Sequence, residues 1–309
     1  MNYWLMANTA AGDGSHNVDF WREHLQAAGL ESLQVQDIAE TDWHHRIEPG
    51  DRLLVAGGDG SVNLAASICI ERKAILGVLP SGTANDFSRN LGLSDDPAET
   101  CRIALGKHTV HVDAAWINDQ LYLNVAHIGL GTAPVSAASS QEKQLLGRFS
   151  YLATLARTLR LRRSITARIE GGDQVAEGHW LTIAMACGAY FGGGHTIKDA
   201  RIDDGQLDIV AVRQRSWLRL LFSYLSTRLL GRTPKGDDTL VHLRVPECHI
   251  QLRRPHTLTA DGEHLGRVSE ATVAIRHAVL EVASHGVVAA SDSALADKIR
   301  RPDRDSKII

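Results

Sequence analysis

The fold is decided by the stretch Leu53-Leu54-Val55-Ala56-Gly57-Gly58-Asp59-Gly60-Ser61-Val62-Asn63. Its four apolar residues predict a short buried strand, three glycines break that strand, and the run from Ser61 to about Arg72 predicts a helix. A strand that turns on glycine into a helix N-terminus is suited to phosphate, because free N–H groups point at the anion. Asp59 is unusual there, since a carboxylate repels phosphate unless a metal intervenes. The stretch predicts the triphosphate site of a kinase, and a ligand-free glycine turn is the alternative.

Composition indicates a globular protein of two domains. The chain has 309 residues, of which 44% are hydrophobic and 22% charged. A net charge of −3 argues against a general nucleic-acid binder. Four widely spaced cysteines without a CxxC pair favour free thiols in a reducing cytoplasm. No apolar run approaches the roughly 18 residues of a membrane span, so we expect a cytoplasmic protein.

The first third of the chain alternates strand and helix signals. Residues 3–7, 33–38, 53–56 and 74–79 predict strands, with helical periodicity at 19–28 and 97–105. This order implies a parallel sheet with right-handed crossovers. The strand at 74–79 runs into Ser81-Gly82-Thr83-Ala84-Asn85-Asp86-Phe87. Because ligands bind at the carboxyl ends of such strands, this second motif (81–87) should lie beside the first motif (57–63).

From about Val110 the pattern changes to short alternating strands with frequent turns, which predicts an antiparallel sandwich. Two helical segments, 147–161 and 216–230, interrupt the strands. Each lies in an arginine-rich stretch, 148–163 and 213–232, that contains no acid. The second stretch also carries large apolar residues, which is typical of a helix on an anionic bilayer. Because these apolar residues cover most of the circumference of the helix, however, its burial against the sandwich is favoured over membrane contact.

The two motifs together resemble the diacylglycerol-kinase catalytic domain, and in particular bacterial lipid kinases of the YegS type. NAD kinases carry a similar Gly-Gly-Asp-Gly but lack the second motif. Residues 190–194 with 203–208, and Thr259-Ala260-Asp261-Gly262-Glu263, are similar to two later family segments. The chain departs from the family at Asn8-Thr9-Ala10-Ala11-Gly12, which lacks a proline, at Leu64, where a glutamate is usual, and near 197–200, where a proline is missing.

The resemblance implies a Rossmann-like α/β domain that binds ATP and an antiparallel β-sandwich domain that brings the Asp261-Gly262-Glu263 segment to the substrate. We expect the α/β domain to span 1–112 and to be completed by 280–292. The β-sandwich should span 113–279, and 293–309 should form a polar, disordered tail. The implied activity is transfer of phosphate from Mg-ATP to a lipid hydroxyl, such as that of diacylglycerol, with peripheral contact at the inner membrane face. Oligomeric state stays open.

The resemblance also assigns site residues. Nucleotide contacts are predicted at Asn8, Thr41, Gly57, Gly58, Asp59, Gly60, Ser61, Val62, Asn63, Leu64, Ser81, Gly82, Thr83, Asn85 and Asp86. Asp59 should hold Mg²⁺ directly or through water. Asp86 shares that role or caps the helix that begins near Asn85.

The resemblance implies two further roles for carboxylates. Glu263 is the first choice for the base that activates the lipid hydroxyl, and Asp261 is the second; a plain hairpin turn at Asp261-Gly262 is the alternative. The Asp204 carboxylate with the carbonyls of Arg201 and Gln206 should bind a second, structural Mg²⁺, unless the loop is only an acidic turn. The alternative functions are an NAD-kinase-like enzyme and a catalytically silent nucleotide-binding regulator.

Overall fold

The structure, a computed structural model, describes residues 1–7, 16–129, 164–191, 195–197, 200–214 and 240–285. The chain forms two compact units. The first unit comprises Met1–Val125, Cys187–Gln206 and the segment from Ile275, and the second comprises Ala126–Ala186 and Leu207–Ala274. The domain boundaries expected at 112/113 and 279/280 stay predictions. Residue 8, the helical segments at 147–161 and 216–230, and the tail at 293–309 lie outside the described residues.

The strands and helices predicted in the first third of the chain occur in the predicted order, whereas three later strands, of 13, 14 and 21 residues, are longer than the short strands predicted. The helices are α1 (Val18–Ala27), α2 (Asp59–Arg72), α3 (Asp86–Asn90) and α4 (Pro97–Leu105), with a 3₁₀ turn at His44–Arg46. The strands are β1 (Tyr3–Ala7), β2 (Gln34–Asp37), β3 (Arg52–Gly57), β4 (Ile75–Pro80), β5 (Thr109–Ile117), β6 (Gln120–Tyr122), β7 (Val125–Gly129), β8 (Ile165–Gly171), β9 (Gln174–Ala186), β10 (Tyr190–Phe191), β11 (His195–Thr196), β12 (Leu207–Arg213), β13 (Leu240–Val245), β14 (Glu247–Ala260) and β15 (Glu263–Ala283).

The first unit is built on a parallel sheet, as the alternating pattern predicts. Its order is β2-β1-β3-β4, and β3 pairs in parallel register with β1 and β4 on its two sides. The end of β15 continues the sheet, with Val282 opposite Leu76 of β4, and β5 pairs with β15 and β6. This is the Rossmann-like arrangement expected for the N-terminal domain.

Strand β3 is buried on both faces because helices cover both sides of the sheet. Leu53 and Val55 face a core that includes the buried residues of α2. Leu54 and Ala56 face the opposite core, which α1 and α4 complete with Trp21, Leu25, Cys101 and Ala104. The central strand is therefore held rigidly, and its carboxyl end fixes where the first motif begins.

The second unit is an antiparallel β-sandwich domain, as predicted. Strands β8, β9, β12 and β13 pair antiparallel in sequence, and β14 pairs antiparallel with β8, β7 and the first part of β15. Its buried side chains alternate along the strands, as in β8, where Ile165, Ala167 and Ile169 point inward. Among the described residues, no helix is long and apolar enough to cross a membrane.

Candidate active site

The first motif turns the chain from β3 into α2. Helix α2 begins at Asp59, two residues before the predicted start, because Gly58 already serves as its N-cap in an extended conformation. Gly57 has no room for a side chain, since a Cβ there would lie 2.5 Å from both Cβ and Oγ of Ser61. The N–H groups in the first turn of α2 have no acceptor within the helix, so they are oriented for an anion.

The two motifs contact each other through glycine. A Cβ on Gly82 would lie 2.5 Å from the Cα of Gly58, and a Cβ on Gly58 would lie 3.3 Å from the Cα of Gly82. The Ser81 N–H also donates to the Gly57 carbonyl at 3.0 Å. The juxtaposition predicted from the strand order is therefore present, and the contact excludes a side chain at Gly82 more strictly than at Gly58.

The loop of the second motif is closed by its own side chains. Asn85 adopts a left-handed conformation (φ 50°), and its amide exchanges hydrogen bonds with the N–H and C=O of Gly82 at 3.0 and 2.9 Å. The Ser81 hydroxyl accepts from the Trp21 indole at 2.9 Å and donates to the Leu79 carbonyl. The Thr83 side chain is exposed, so its hydroxyl is accessible to a ligand.

Asp59 joins the two motifs through its carboxylate. Oδ1 accepts from the Phe87 N–H at 3.0 Å and from Asn124 Nδ2 at 3.3 Å, and Oδ2 accepts from the Asp86 N–H at 3.2 Å. Asp59 rather than Asp86 thus supplies the carboxylate that caps α3. Three of about four acceptor positions on the carboxylate are used, which leaves one for a further partner. Asp86 is buried, with one oxygen 3.4 Å from the Arg89 guanidinium.

Sequence reasoning did not identify the amides that extend this network. Asn124 accepts from Asn90 Nδ2 at 3.2 Å, and Asn90 exchanges hydrogen bonds with the backbone N–H and C=O of Tyr190. Both asparagines are almost fully buried. The network links Asp59 to the start of the 190–194 segment. The sequence does contain a signal for this network, which is an asparagine between apolar residues in Leu123-Asn124-Val125. Such an amide is expected to be buried, and a buried amide needs hydrogen-bond partners.

Other predicted nucleotide residues have different surroundings. Val62 packs in the core and its N–H donates to the Gly58 carbonyl, while Asn63 Nδ2 donates to the Leu121 carbonyl at 3.2 Å. Leu64 is 38% exposed and Thr41 is exposed.

The predicted metal loop is tied to β5. The Asp204 carboxylate accepts from the Gln206 N–H at 3.0 Å, and the Arg201 guanidinium forms an ion pair with Asp203. The Gly205 N–H donates to buried Asp113 at 2.6 Å, and Asp113 also accepts from the Ala278 N–H and contacts His277 Nδ1, each at 2.8 Å. Among the described residues, no group of three or more His, Cys, Asp or Glu side chains is placed to hold a metal ion. A metal at this loop therefore requires backbone carbonyls, and such oxygen donors suit Mg²⁺.

The Asp261-Gly262 pair forms the turn between β14 and β15. Both residues have positive φ, 46° and 87°, as a tight two-residue hairpin requires. Ala260 pairs with Glu263 at the base of the turn, and the Glu263 side chain is exposed. The hairpin belongs to the second unit.

Comparison with known proteins covers both units. The family model described as "Diacylglycerol kinase catalytic domain" matches residues 2–117, and that described as "YegS C-terminal NAD kinase beta sandwich-like domain" matches 126–284. A probable lipid kinase YegS-like from Chromohalobacter salexigens is 30% identical over 69% of this chain and 69% of its own. A diacylglycerol kinase from Staphylococcus epidermidis is 26% identical over 71% of this chain and 69% of its own. The crystal structure of a putative diacylglycerol kinase from Bacillus anthracis matches the fold with a TM-score of 0.75 and 23% identity, covering 93% of this chain and 98% of that one.

Proposed function

Because the chain belongs to the family of YegS-like lipid kinases with a diacylglycerol kinase catalytic domain, we propose that it transfers the γ-phosphoryl group of ATP to a hydroxyl of diacylglycerol or a related lipid. The observation that supports this best is the contact of Gly58 with Gly82. It brings the N-terminus of α2 beside the second motif. Phosphoryl transfer depends mainly on positioning and on neutralising phosphate charge, and this arrangement supplies both.

The nucleotide phosphates lie on the N-terminus of α2 in this proposal. The N–H groups of Gly60 and Ser61 donate to phosphate oxygens, and the hydroxyls of Ser61 and Thr83 add donors. The absence of side chains at Gly58 and Gly82 lets the phosphates approach the backbone. Thr41, Asn8 and Leu64 stay proposed nucleotide contacts.

Magnesium, when bound, neutralises charge on the phosphates. Asp59 and Asp86 would hold it, and the capping bonds of Asp59 favour contact through water over direct ligation by both of its oxygens. The Asp204 carboxylate and the carbonyls of Arg201 and Gln206 would hold a second ion. Asp113 fixes the backbone of that loop at Gly205.

Glu263 is the proposed base that takes the proton from the lipid hydroxyl. Its side chain is exposed at the first residue of β15, while Asp261 is committed to the turn by its left-handed backbone. A base at hydrogen-bond distance contributes about 10²–10⁴-fold to the rate. Asp261 stays the second candidate. Since the acceptor is a membrane lipid, the proposal includes peripheral contact with a bilayer.

The function is tested with ATP labelled at the γ-phosphate. The purified protein is incubated with diacylglycerol in mixed micelles, with NAD in a parallel reaction, each with Mg²⁺ and with excess chelator. We expect label in phosphatidic acid only, and only with Mg²⁺. Label in NADP would favour the NAD-kinase-like alternative, and nucleotide binding without transfer to diacylglycerol or a total lipid extract would favour the silent regulator.

Replacement of the proposed base gives a sharper prediction. Glu263→Gln should lower kcat about 10²-fold or more, because the amide cannot accept the proton, and should leave ATP affinity and the unfolding temperature unchanged. Glu270→Gln is the matched control, since Glu270 is an exposed glutamate on the same strand. Equal turnover in the two variants would exclude Glu263 as the base.

A further inference from the structure

The second unit contains a cavity that none of the predicted site residues lines. Its volume is about 630 Å³, within the range of small-molecule sites. Its polar lining consists mainly of basic side chains with a few neutral donors. These are Ser164, Thr166, Gln214, Arg253, Arg254, His256 and Arg267.

A bulge in β14 supplies part of the cavity lining. Gln251 pairs with Glu270 and His256 pairs with Val268, so residues 252–255 lie opposite a single residue of β15. The Arg267 guanidinium donates to the Pro255 carbonyl at 2.7 Å and holds the bulge. A regular strand would point consecutive side chains to opposite faces. The bulge instead lets both Arg253 and Arg254 line the same cavity.

The charge of the cavity is uncompensated. None of its described lining residues is acidic, and within the described part of the chain Arg253, Arg254 and Arg267 form no ion pair. Arg168, on the same sheet, shows the contrast, because two glutamates pair with it. Burial and the charge of Arg267 lower the pKa of His256. The imidazole is therefore neutral at neutral pH and remains available as a hydrogen-bond donor.

Three guanidinium groups with hydroxyl and amide donors match a tetrahedral oxyanion. Arginine binds phosphate through two parallel N–H bonds, and it is weakly hydrated enough to form such pairs in a cavity. We propose that this cavity is a binding site for a phosphate group, separate from the nucleotide site. Two sources present that chemistry, the headgroup of an anionic phospholipid and a soluble phosphate monoester. The site is independent of the proposed kinase reaction, and its test requires no ATP.

Binding is measured on the full chain with two probes. The first is vesicles of phosphatidylcholine with and without phosphatidic acid, assayed by sedimentation, and the second is glycerol 3-phosphate, assayed by calorimetry. The variant Arg253→Gln with Arg254→Gln should weaken the affinity for whichever probe the wild type binds about tenfold or more, because hydrogen bonds to charged groups are lost. Arg22→Gln with Arg102→Gln is the control. It removes the same charge from helix positions in the first unit, where Arg102 is exposed and Arg22 is partly exposed beside Asp19, and it should change the affinity less than about threefold at moderate salt.

Arginine-to-lysine changes separate phosphate recognition from bulk charge. Arg253→Lys with Arg254→Lys keeps both charges but loses the planar forks, so its affinity should fall between those of the wild type and the glutamine variant. NMR of the wild type supplies a readout that does not depend on any variant. A bound phosphate should shift the His256 ring resonances and raise the pKa of His256.

Each outcome decides the proposal. Binding to phosphatidic acid vesicles alone, weakened in the Arg253/Arg254 glutamine variant, identifies a lipid headgroup as the ligand. Binding of glycerol 3-phosphate that is weakened in the same variant identifies a soluble ligand. Either result supports the site. The proposal is overturned if neither probe shifts His256 resonances, or if the Arg253/Arg254 glutamine variant binds both probes as the control does.

Discussion

The backbones of Gly58 and Gly82 lie against each other at the candidate site. The local sequence indicates that each glycine is a turn residue. The structure adds a second reason for glycine at these positions, because each residue lies against the Cα of the other. A Cβ on Gly82 would overlap the Cα of Gly58 at 2.5 Å, whereas a Cβ on Gly58 would meet the Cα of Gly82 at a tight 3.3 Å. The two positions are therefore unequal in their tolerance of a side chain.

This inequality gives a prediction. Gly82→Ala should separate the two motifs by about 1 Å and reduce kcat/KM for ATP about 10²-fold, because small misplacements at a phosphate site are costly. Gly58→Ala needs a shift of only a few tenths of an ångström, so its effect should be clearly smaller. Steady-state kinetics of the two variants make the comparison, and an equal loss in both would contradict the geometry.

For Asp59, the sequence predicts the position of the residue but not its hydrogen-bond partners. Its place between glycines predicts a residue at a phosphate site, and the structure does place it at the start of α2. Its hydrogen bonds to Asp86, Phe87 and Asn124 were not predictable, because those partners are 27 to 65 positions away in the chain. The resemblance implied metal binding, and the structure adds that Asp59 also holds α3 and the second motif in place.

At the scale of elements, boundaries were predictable wherever their signals are local. Helix α4 begins and ends as predicted because Asp96 caps it, Pro97 occupies its first position and Gly106 follows it. The predicted start of α2 is two residues late because the glycines indicate a non-helical turn, whereas Gly60 lies inside the helix. The bulge in β14 was not predicted, because Arg253-Arg254-Pro255 carries no pattern that distinguishes a bulge from a turn.

Asp51 joins β1 to the turn before β3. Its buried carboxylate accepts from the N–H groups of Asn2 and Glu48 and from the Trp4 indole, at 2.6, 3.2 and 3.2 Å. Burial alone would raise its pKa, but these hydrogen bonds outweigh burial and hold the pKa below its ordinary value. A carboxyl with a lowered pKa in the folded state stabilises the fold above its unfolded pKa, and that contribution is lost as pH falls through its folded pKa.

Asp51→Asn should therefore lower the free energy of unfolding by about 1–2 kcal/mol at pH 7. The difference from the wild type should stay constant down to about pH 5 and shrink below about pH 4, where the carboxyl of the unfolded state binds a proton, until it is lost at the lower pKa of the folded state. Urea unfolding across this range measures it, with exposed Asp95 changed to Asn as the control. A difference that grows on acidification would contradict the assignment.

At the scale of the whole molecule, the reactivity of the cysteines can be used to follow the unfolding of both units. All four are buried. Burial raises the pKa of Cys69 far above its usual range, that of Cys101 to about 11, with a contribution from Asp96, and that of Cys248 to about 12. Cys69 and Cys101 belong to the first unit and Cys248 to the second.

Native protein at pH 8 should therefore react with a thiol reagent at least about 10²-fold more slowly than free cysteine, because the thiolate is the reactive form. In guanidinium all four thiols should react. Peptide mapping of the labelled sites along a denaturant gradient then shows whether Cys248 becomes accessible at the same midpoint as Cys69 and Cys101. Rapid labelling of any of these three thiols in the native state would contradict their burial.

The pairing of β4 with the end of β15 has a consequence for synthesis on the ribosome. β4 is complete at Pro80, but its partner at Val282 emerges some two hundred residues later. Until then, an apolar strand of the central sheet has one unpaired edge, which other nascent or unfolded chains can join. The interval depends on translation speed, about 5–20 residues per second, so the exposure lasts on the order of ten seconds or more. Chaperones that bind short apolar strands would be needed most in that interval.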